Sequence, residues 1–521
     1  MSQAADVLAA FRDVVGSEHV LVADDARTLA SQDVYRAGSL PLAVLRPQST
    51  ADIAQLVRLA RAERLAVHVR GGGMSYTDAY LPQHTHSIVL DMRGLDRVRE
   101  IVADDHIVTA EAGCTWAALD AAVAPRGLRA RFWGPMSGAL ATLGGGFSQG
   151  AATFGSARHG SSASTALDFE VVLGDGSILH TGRAGNAARP AFFRPYGPDL
   201  TGLYTGDAGA LGIKTAVTLQ LEQRPGAQGS LSFAFKDFTT MRAGVSAVAR
   251  SGLATEIFGL ETALARLAAG DAALVQDATT LWQMMRAQRT PLAALRQAWR
   301  TTRAGRTFLA ESECIANVLC EARDATRLTL TLDDVRRVLQ PYGVEVANTM
   351  AAVVQATPFP PPMVVGPRGM RLLPLHVILP HSAVDGFHAA FEILRAHEQV
   401  QLERHRVQMF VVFAGVGESA LLYEPVIYWE DEWLPLHHAV LPAALRTQLA
   451  PAPANPEGRH YVESLRVRLI ELMHAHGGVH LQIGRAYPYL RERTPAFTEL
   501  VKALKHAVDP DGLLNPGALG L

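Results

Sequence analysis

The sequence predicts a mixed fold, α+β or α/β, over roughly its first 220 residues. Three observations carry this reading. Short apolar runs of β type alternate with stretches of helical periodicity from Leu42 to Leu221. Two glycine clusters, Gly71-Gly72-Gly73 and Gly144-Gly145-Gly146, each follow a short apolar run. Arg224-Pro225-Gly226 then breaks the alternation, and Ala-, Leu- and Arg-rich helices mixed with further strands follow.

The elements fall in order. Residues 1 to about 40 read as one or two helices and a connector, the first amphipathic and acid-bearing rather than a signal peptide. Leu42 to Arg46 is a short strand. Ser49 or Thr50 caps a helix through Ala62 whose apolar face is Ile53, Leu56, Val57 and Ala60. Strands follow at Ala66 to Val69, Ser87 to Met92 and Ile107 to Ala112, then a helix from Trp116 to Val123. Ala166 to Val172 and Ser177 to Thr181 flank Gly174-Asp175-Gly176 as a hairpin. Ala216 to Leu221 is a further strand. Beyond the break, helices are expected at Thr240 to Arg250, Leu260 to Ala268 and Ala273 to Arg289. Thr357 to Pro362 reads as a loop and Ala450 to Glu457 as a linker. Helices at Val462 to His474 and Ala496 to Val508 precede the tail Asp509 to Gly517. The expected division is 1–225, 226–455 and 456–521.

Thr142 to Gly160 holds six glycines in nineteen residues, a density that argues against an ordinary helix and for close approach of another surface. Val67 to Tyr76 reads VHVRGGGMSY. Consecutive backbone N–H groups in such a turn form an anion-binding concavity, and Arg70 adds charge. Neither Gly-x-Gly-x-x-Gly opening a helix nor a Gly-Lys-Ser/Thr ending is present, which disfavours a nicotinamide site and a P-loop.

Composition narrows the class. With 19% charged and 48% hydrophobic residues in 521, the chain is that of a compact protein with a large core. Its net charge of -2 and lack of a basic stripe exclude nucleic acid as an expected partner. No apolar run reaches the roughly 18 residues of a membrane span. Cys114, Cys314 and Cys320 are too scattered for a disulfide framework or a zinc site, so no metal is expected and the cytoplasm is the expected compartment.

Taken in order, Pro47, Arg70-Gly71-Gly72-Gly73, Gly113, Leu143-Gly144-Gly145-Gly146, Phe169 to Gly176, Gly212-Ile213 and the Asp509 to Gly517 tail resemble the flavoproteins of the vanillyl-alcohol oxidase and p-cresol methylhydroxylase type. Pro195-Tyr196-Gly197-Pro198 with Gly202-Leu203 is most similar to the phenol-oxidising branch. The resemblance implies an α+β fold: an FAD-binding domain of two α+β subdomains, interrupted by an α+β substrate cap and completed by the C-terminal segment. It implies bound FAD, with Arg70, Gly71, Gly72, Gly73, Met74, Ser75 and Tyr76 around the pyrophosphate. Pro135, Met136, Thr142, Leu143, Gly145, Gly146, Ser148, Gly150 and Ile213 would line the rest of the cofactor.

Departures from the family pattern bear on chemistry. Met74 stands where some members carry a flavin-linked histidine, and Thr142 where the phenol-oxidising branch has an Asp. Tyr76 falls at that branch's phenolate-binding tyrosine. The histidine-rich signature of metal-dependent 2-hydroxy-acid dehydrogenases is missing from the sequence.

Oxidising an alcohol carbon needs a base for the hydroxyl proton and a means of fixing the substrate. His480 and His376 are the candidate bases. Arg485, Tyr487 and Tyr76 are the candidate anchors, since a guanidinium among tyrosines suits an anion. Tyr423-Glu424-Pro425 and Tyr428 to Asp431 are candidate cap-pocket linings. The expected activity is FAD-dependent oxidation of a small hydroxylated anion, a 2-hydroxy acid, with a phenolic alcohol or a non-redox flavin adduct of the ether-lipid synthase kind as alternatives. The expected partners are a small-molecule substrate, O2 or a redox carrier as electron acceptor, and a second copy of the chain.

Overall fold

The structure is a computed structural model and describes residues 2–152, 154–183, 189–269 and 312–521. The expected helix at 273–289 lies outside them.

Three sheets organise the chain. The first has the order Val20–Leu21, Ala43–Leu45, Ser87–Asp91, Ala66–Arg70. Its outer pair is antiparallel and the other two pairings are parallel. Parallel strands are covered on their faces and read as unbroken apolar runs, which is why Ile88, Val89 and Leu90 are all fully buried. The helix Thr50–Ala62 covers one side. Ser49 accepts the Asp52 N–H while Asp52 accepts the Ser49 N–H, so two of the helix's open donors are satisfied reciprocally. Its face Ile53, Leu56, Val57 and Ala60 packs with Phe11, Leu45, Ile88 and Leu90.

The second sheet is antiparallel: Val98–Val102, Ile107–Glu111, Ile213–Gln223, Ala166–Val172, Ile178–His180, with Leu128–Ala130 on the far end of the long strand. The expected hairpin is formed, its turn closed by Asp175 Oδ1 accepting from Ser177 N–H.

The chain leaves this sheet at Gln223 and enters the third at Ala227. That sheet has the order Val344–Val346, Ala227–Phe235, Cys314–Ala322, Glu256–Glu261, Val407–Val416, Ala420–Trp429, Arg371–Pro374, with Val377–Pro380 also on Ala420–Trp429. Strand alternation divides its residues by face. Leu421, Tyr423, Ile427 and Trp429 enter one core with Phe238, Met241 and Val245, Phe387 and Phe391, and Val462, Leu465 and Leu469. Leu422, Glu424, Val426 and Tyr428 take the other face. The helix Pro456–Ala475 is thus part of the cap's core, and only the chain beyond it returns to the first two sheets. There Val67 exchanges hydrogen bonds with Leu513 and Asn515 of the tail.

Three elements differ from expectation. Leu260 and Glu261 complete the strand Glu256–Glu261, and the helix begins at Thr262, because pairing with the strands on either side outweighs local helix preference. The expected linker ends early: Asn455 caps, and Pro456 starts, the helix Pro456–Ala475. Leu143–Gln149 is a helix despite its glycines. Thr142 caps it, and the glycines admit neighbours: a Cβ on Gly144 would lie 2.8 Å from Ala112 Cβ, and one on Gly146 would lie 2.8 Å from the Trp116 indole nitrogen.

One side chain ties the N-terminal part, the cap and the tail together. Asp78 accepts a fork from Arg36 (2.6 and 2.6 Å) and a bond from Arg466 at 2.9 Å, its backbone N–H donates to Asp33, and its carbonyl accepts from Arg485. The Asp78 and Arg466 side chains are 3% and 4% exposed. Removing one partner of such a buried pair leaves a charge stranded. Asp78→Ala is expected to cost about 3–5 kcal/mol of stability in denaturant unfolding. Asp24→Ala, which breaks an exposed ion pair with Arg27, is expected to cost under about 1 kcal/mol.

Candidate functional site

The strand Ala66–Arg70 ends in the turn Gly71 to Tyr76, which lies against the loop before Leu143. A Cβ on Gly71 would sit 2.3 Å from Thr142 Oγ1, and one on Gly72 would sit 2.0 Å from the Leu140 carbonyl oxygen. Gly73 has φ +74°, with the Arg70 guanidinium directly beneath it. Only glycine fits these approaches. The N–H groups of Gly72, Gly73 and Met74 find no acceptor among the described residues. Arg70 is 4% exposed, makes no ion pair among them, and its Nε has no acceptor. Burial pulls its pKa down. A buried cation and a run of open N–H donors form a donor set that an anion completes. The pyrophosphate of FAD fits it.

The second glycine cluster has another role. The N–H groups that open the helix Leu143–Gln149 are spent: Leu143 donates to Cys114 O, Gly144 to Ala112 O, Gly145 to Thr142 Oγ1 and Gly146 to Thr142 O. The close approach expected of these glycines is made by the protein's own Ala112 and Trp116. Thr142 is a helix cap. The Leu143 and Ile213 side chains are fully buried in separate apolar clusters, so their backbones alone are left to meet a ligand. Ser148 Oγ accepts from the buried Lys214, itself paired with Asp207. Gly145 is half-buried, Gly150 takes φ +65° beside Leu481, Met136 is 36% exposed, and Pro135 is half-buried. Ser75 Oγ meets Thr77 Oγ1 at 3.0 Å. Met74 and Tyr76 pack at the edge of the cluster Val34, Val364, Val365, Trp433 and Leu436.

The cap supplies the wall facing Tyr76. Glu424, on the sheet face opposite Tyr423 and Trp429, has no side-chain hydrogen bond or ion pair among the described residues, and burial lifts its pKa to about 7. Burial first, and the Glu424 charge after it, raise the pKa of Tyr76, Tyr487 and Tyr428. Gln482 Nε2 lies 3.4 Å from the Tyr76 hydroxyl and holds φ +49°, a strained backbone for a residue that is not glycine.

Four of the five expected catalytic side chains have structural roles instead. Arg485 donates to the carbonyls of Pro516, Asp78 and Leu81 and to Asn515 Oδ1, which leaves no fork for a substrate. His376 is 1% exposed, bonded through Nε2 to Leu481 O at 2.7 Å, and burial lowers its pKa to about 3. His480 donates from Nδ1 to His376 O at 2.8 Å, stacks on Tyr487 at 3.9 Å, and has its pKa lowered to about 4 by burial. Its Nε2 is enclosed. Tyr487 is 3% exposed, its hydroxyl accepting from His376 N–H. Tyr76 stays at the cleft. Glu424 was marked in sequence only as part of a cap-pocket stretch, and Gln482 was missed. The signal for the first is an acid inside the apolar strand LLYEPVIYW.

Two small α+β sheets carrying a donor turn fitted to FAD, interrupted by a third sheet, match the expected FAD-binding domain with its substrate cap. Comparison agrees. The FAD binding domain family matches residues 41–182. p-Cresol methylhydroxylase with substrate bound superposes with a TM-score of 0.73 over 100% of this chain and 97% of that one, at 15% identity. An alkyldihydroxyacetonephosphate synthase does so with 0.69 over 98% and 85%, at 14% identity. The chain thus carries an FAD-binding domain match at residues 41–182 and shares the fold of p-cresol methylhydroxylase over its whole length. It is similar to the probable mitochondrial D-lactate dehydrogenase of Danio rerio, 32% identical over 218 residues, 41% of this chain and 42% of the relative. The chain thus matches less than half the length of that curated relative.

Gly72→Ala is expected to lower FAD retention at least tenfold, read as flavin released on ultrafiltration, with the circular dichroism unchanged. Glu424 gives a second expectation. A carboxyl held at about 7 rather than 4.5 disfavours the fold once it ionises, by about 3 kcal/mol at most. The native state holds the extra proton between those values, so this cost grows as pH rises from 4.5 and is complete above 7. Glu424→Gln should gain stability over the wild-type apoprotein at pH 8 and lose that advantage at pH 4.5, measured by unfolding at both.

Proposed function

We propose that the protein is an FAD-dependent oxidoreductase acting on the CH–OH group of a small molecule. The observation that carries this is the donor turn fitted to FAD, the buried Arg70 with the open N–H groups of Gly72, Gly73 and Met74, with Glu424, an acid that has no side-chain partner among the described residues, as the candidate base. A general base works best when its pKa lies near the operating pH. The similarity to a protein named for D-lactate dehydrogenation supports oxidation at a hydroxyl-bearing carbon. FAD held by Arg70 and the Gly71 to Tyr76 turn supplies a two-electron acceptor for the carbinol hydride. Glu424 takes the hydroxyl proton. Tyr76, polarised by Gln482, donates to the same oxygen and fixes its lone pairs. Met74, Val364 and Trp433 keep water from the reacting carbon. The electrons then pass to O2 or to a redox carrier.

The test is anaerobic bleaching of the oxidised-flavin band by a panel of hydroxy acids, hydroxy amides and aromatic alcohols. The base must be ionised, so the rate of bleaching should rise about tenfold per pH unit below 7 and level off above it. Glu424→Gln should lower it 10²- to 10⁴-fold and remove the inflection with flavin content unchanged. A histidine base would leave that variant active. Re-oxidation on admitting air would make O2 the acceptor.

A further inference from the structure

We infer that Phe359, on the Pro-rich loop of the cap, is a positioning residue for bound FAD. It acts through the segment Pro135 to Thr142 of the N-terminal part, which it touches near one end and which meets the glycine turn at the other. The contacts run in sequence. Ala351 and Val354 of the helix Thr349–Ala356 join Trp133 and Phe154 in one apolar cluster, so the cap meets the N-terminal part along this helix. The chain then turns at Thr357, and Pro358, Pro360, Pro361 and Pro362 stiffen the backbone on both sides of Phe359. Phe359 is half-buried and packs at the edge of the cluster of Trp116, Phe132, Leu143 and Phe147. A Cβ on Gly138 would lie 2.6 Å from Phe359 Cδ1 and 2.8 Å from its Cε1. The ring therefore rests on bare backbone, an approach that only glycine admits.

The segment under the ring is one hydrogen-bonded unit. Gly138 N–H donates to Pro135 O at 2.8 Å, and the N–H groups of Leu140 and Ala141 donate to Ser137 O at 2.9 and 2.8 Å. Gly138 O and Ala141 O in turn accept from the Ala117 and Trp116 N–H groups. Leu140, Ala141 and Thr142 form the surface on which Gly71 and Gly72 lie too closely for either to carry a Cβ. Leu140, whose carbonyl lies under Gly72, follows Gly138 by two residues. The same segment carries Pro135 and Met136, two of the expected cofactor-lining residues. Contacts this tight leave no slack, so removing the ring frees the segment to shift and the donors of the glycine turn to lose their aim. The cap thereby bears on FAD through packing.

The test titrates FAD into the apoprotein and reads the quenching of flavin fluorescence together with the shape and position of the oxidised-flavin band. Phe359→Ala is expected to raise the Kd for FAD about tenfold and to shift the band, with the circular dichroism unchanged. Phe359→Leu keeps apolar bulk without the flat ring and is expected to fall between Phe359→Ala and the wild type. Phe359→Tyr keeps the ring and is expected to match the wild type. Val353→Ala, on the exposed side of the neighbouring helix, is the control and is expected to change neither reading. Lower unfolding stability of Phe359→Ala with the wild-type Kd and band would mark a purely structural contact and overturn the inference. If Phe359→Ala does not fold, Phe359→Leu decides: a raised Kd supports the inference and the wild-type Kd overturns it. No substrate is added, so either result stands whatever becomes of the oxidoreductase reading.

Discussion

The site depends on where Asp78 sits. It follows the glycine turn by five residues, and its carboxylate holds Arg36 of the N-terminal part and Arg466 of the helix Pro456–Ala475, while its carbonyl holds Arg485 of the returning tail. Asp33 accepts its backbone N–H, so the left-handed backbone at Asp78, φ +59°, is held from two directions. Tyr76 lies two residues before it. Any slack in this clasp would move the turn and the cap relative to each other, and groups that must meet a substrate within tenths of an ångström tolerate little of that. Arg466 also lies over the Tyr35 ring at 4.9 Å, which uses a cation that would otherwise be costly to bury.

The same region shows how charges are sorted. Apart from Arg70, the arginines gathered around Asp78 are paired with acids or bonded to carbonyls, which is the ordinary condition for buried ionisable groups. Glu424 departs from it. Nothing in the strand Ala420–Trp429 or its neighbours compensates it, and a Gln would satisfy the fold more easily. Uncompensated, near-neutral acids of this kind concentrate at sites where a proton moves.

Much of the framework was legible in sequence because its signals are local. The Ser49–Asp52 capping pair, the Asp175 turn and the apolar strands on either side of Gly71-Gly72-Gly73 each lie within a few residues, and each formed as expected. The glycines of Leu143–Gln149 misled, because their reason is a neighbour far away in sequence, Ala112 or Trp116, and local composition reads them as breakers. Arg485 misled for the same cause. An arginine beside tyrosines suggests an anion clamp, but two of its acceptors are main-chain carbonyls about 400 residues away, which no side-chain pattern announces. His376 and His480 looked available until Tyr487 proved to fill the space between them. For Glu424 the sequence gives the residue and withholds the face. Which side of the strand the helices cover is settled only when Tyr423 and Trp429 enter the cap's core and send Glu424 the other way.

The two walls of the cleft therefore carry opposite charge, and the chemistry favours that arrangement. The turn side offers Arg70 and open N–H groups to the fixed anionic part of a cofactor, which never reacts. On the proposed mechanism, the cap side offers an acid, Glu424, at the reacting carbon. As a hydride leaves a carbinol carbon, positive charge develops at that carbon unless the hydroxyl proton leaves with it. An ionised carboxylate already in place and held away from water stabilises either course, and it needs no reorganisation to do so. A cation at the same spot would oppose hydride loss and hold an anionic substrate in its ground state, which gains binding and no rate.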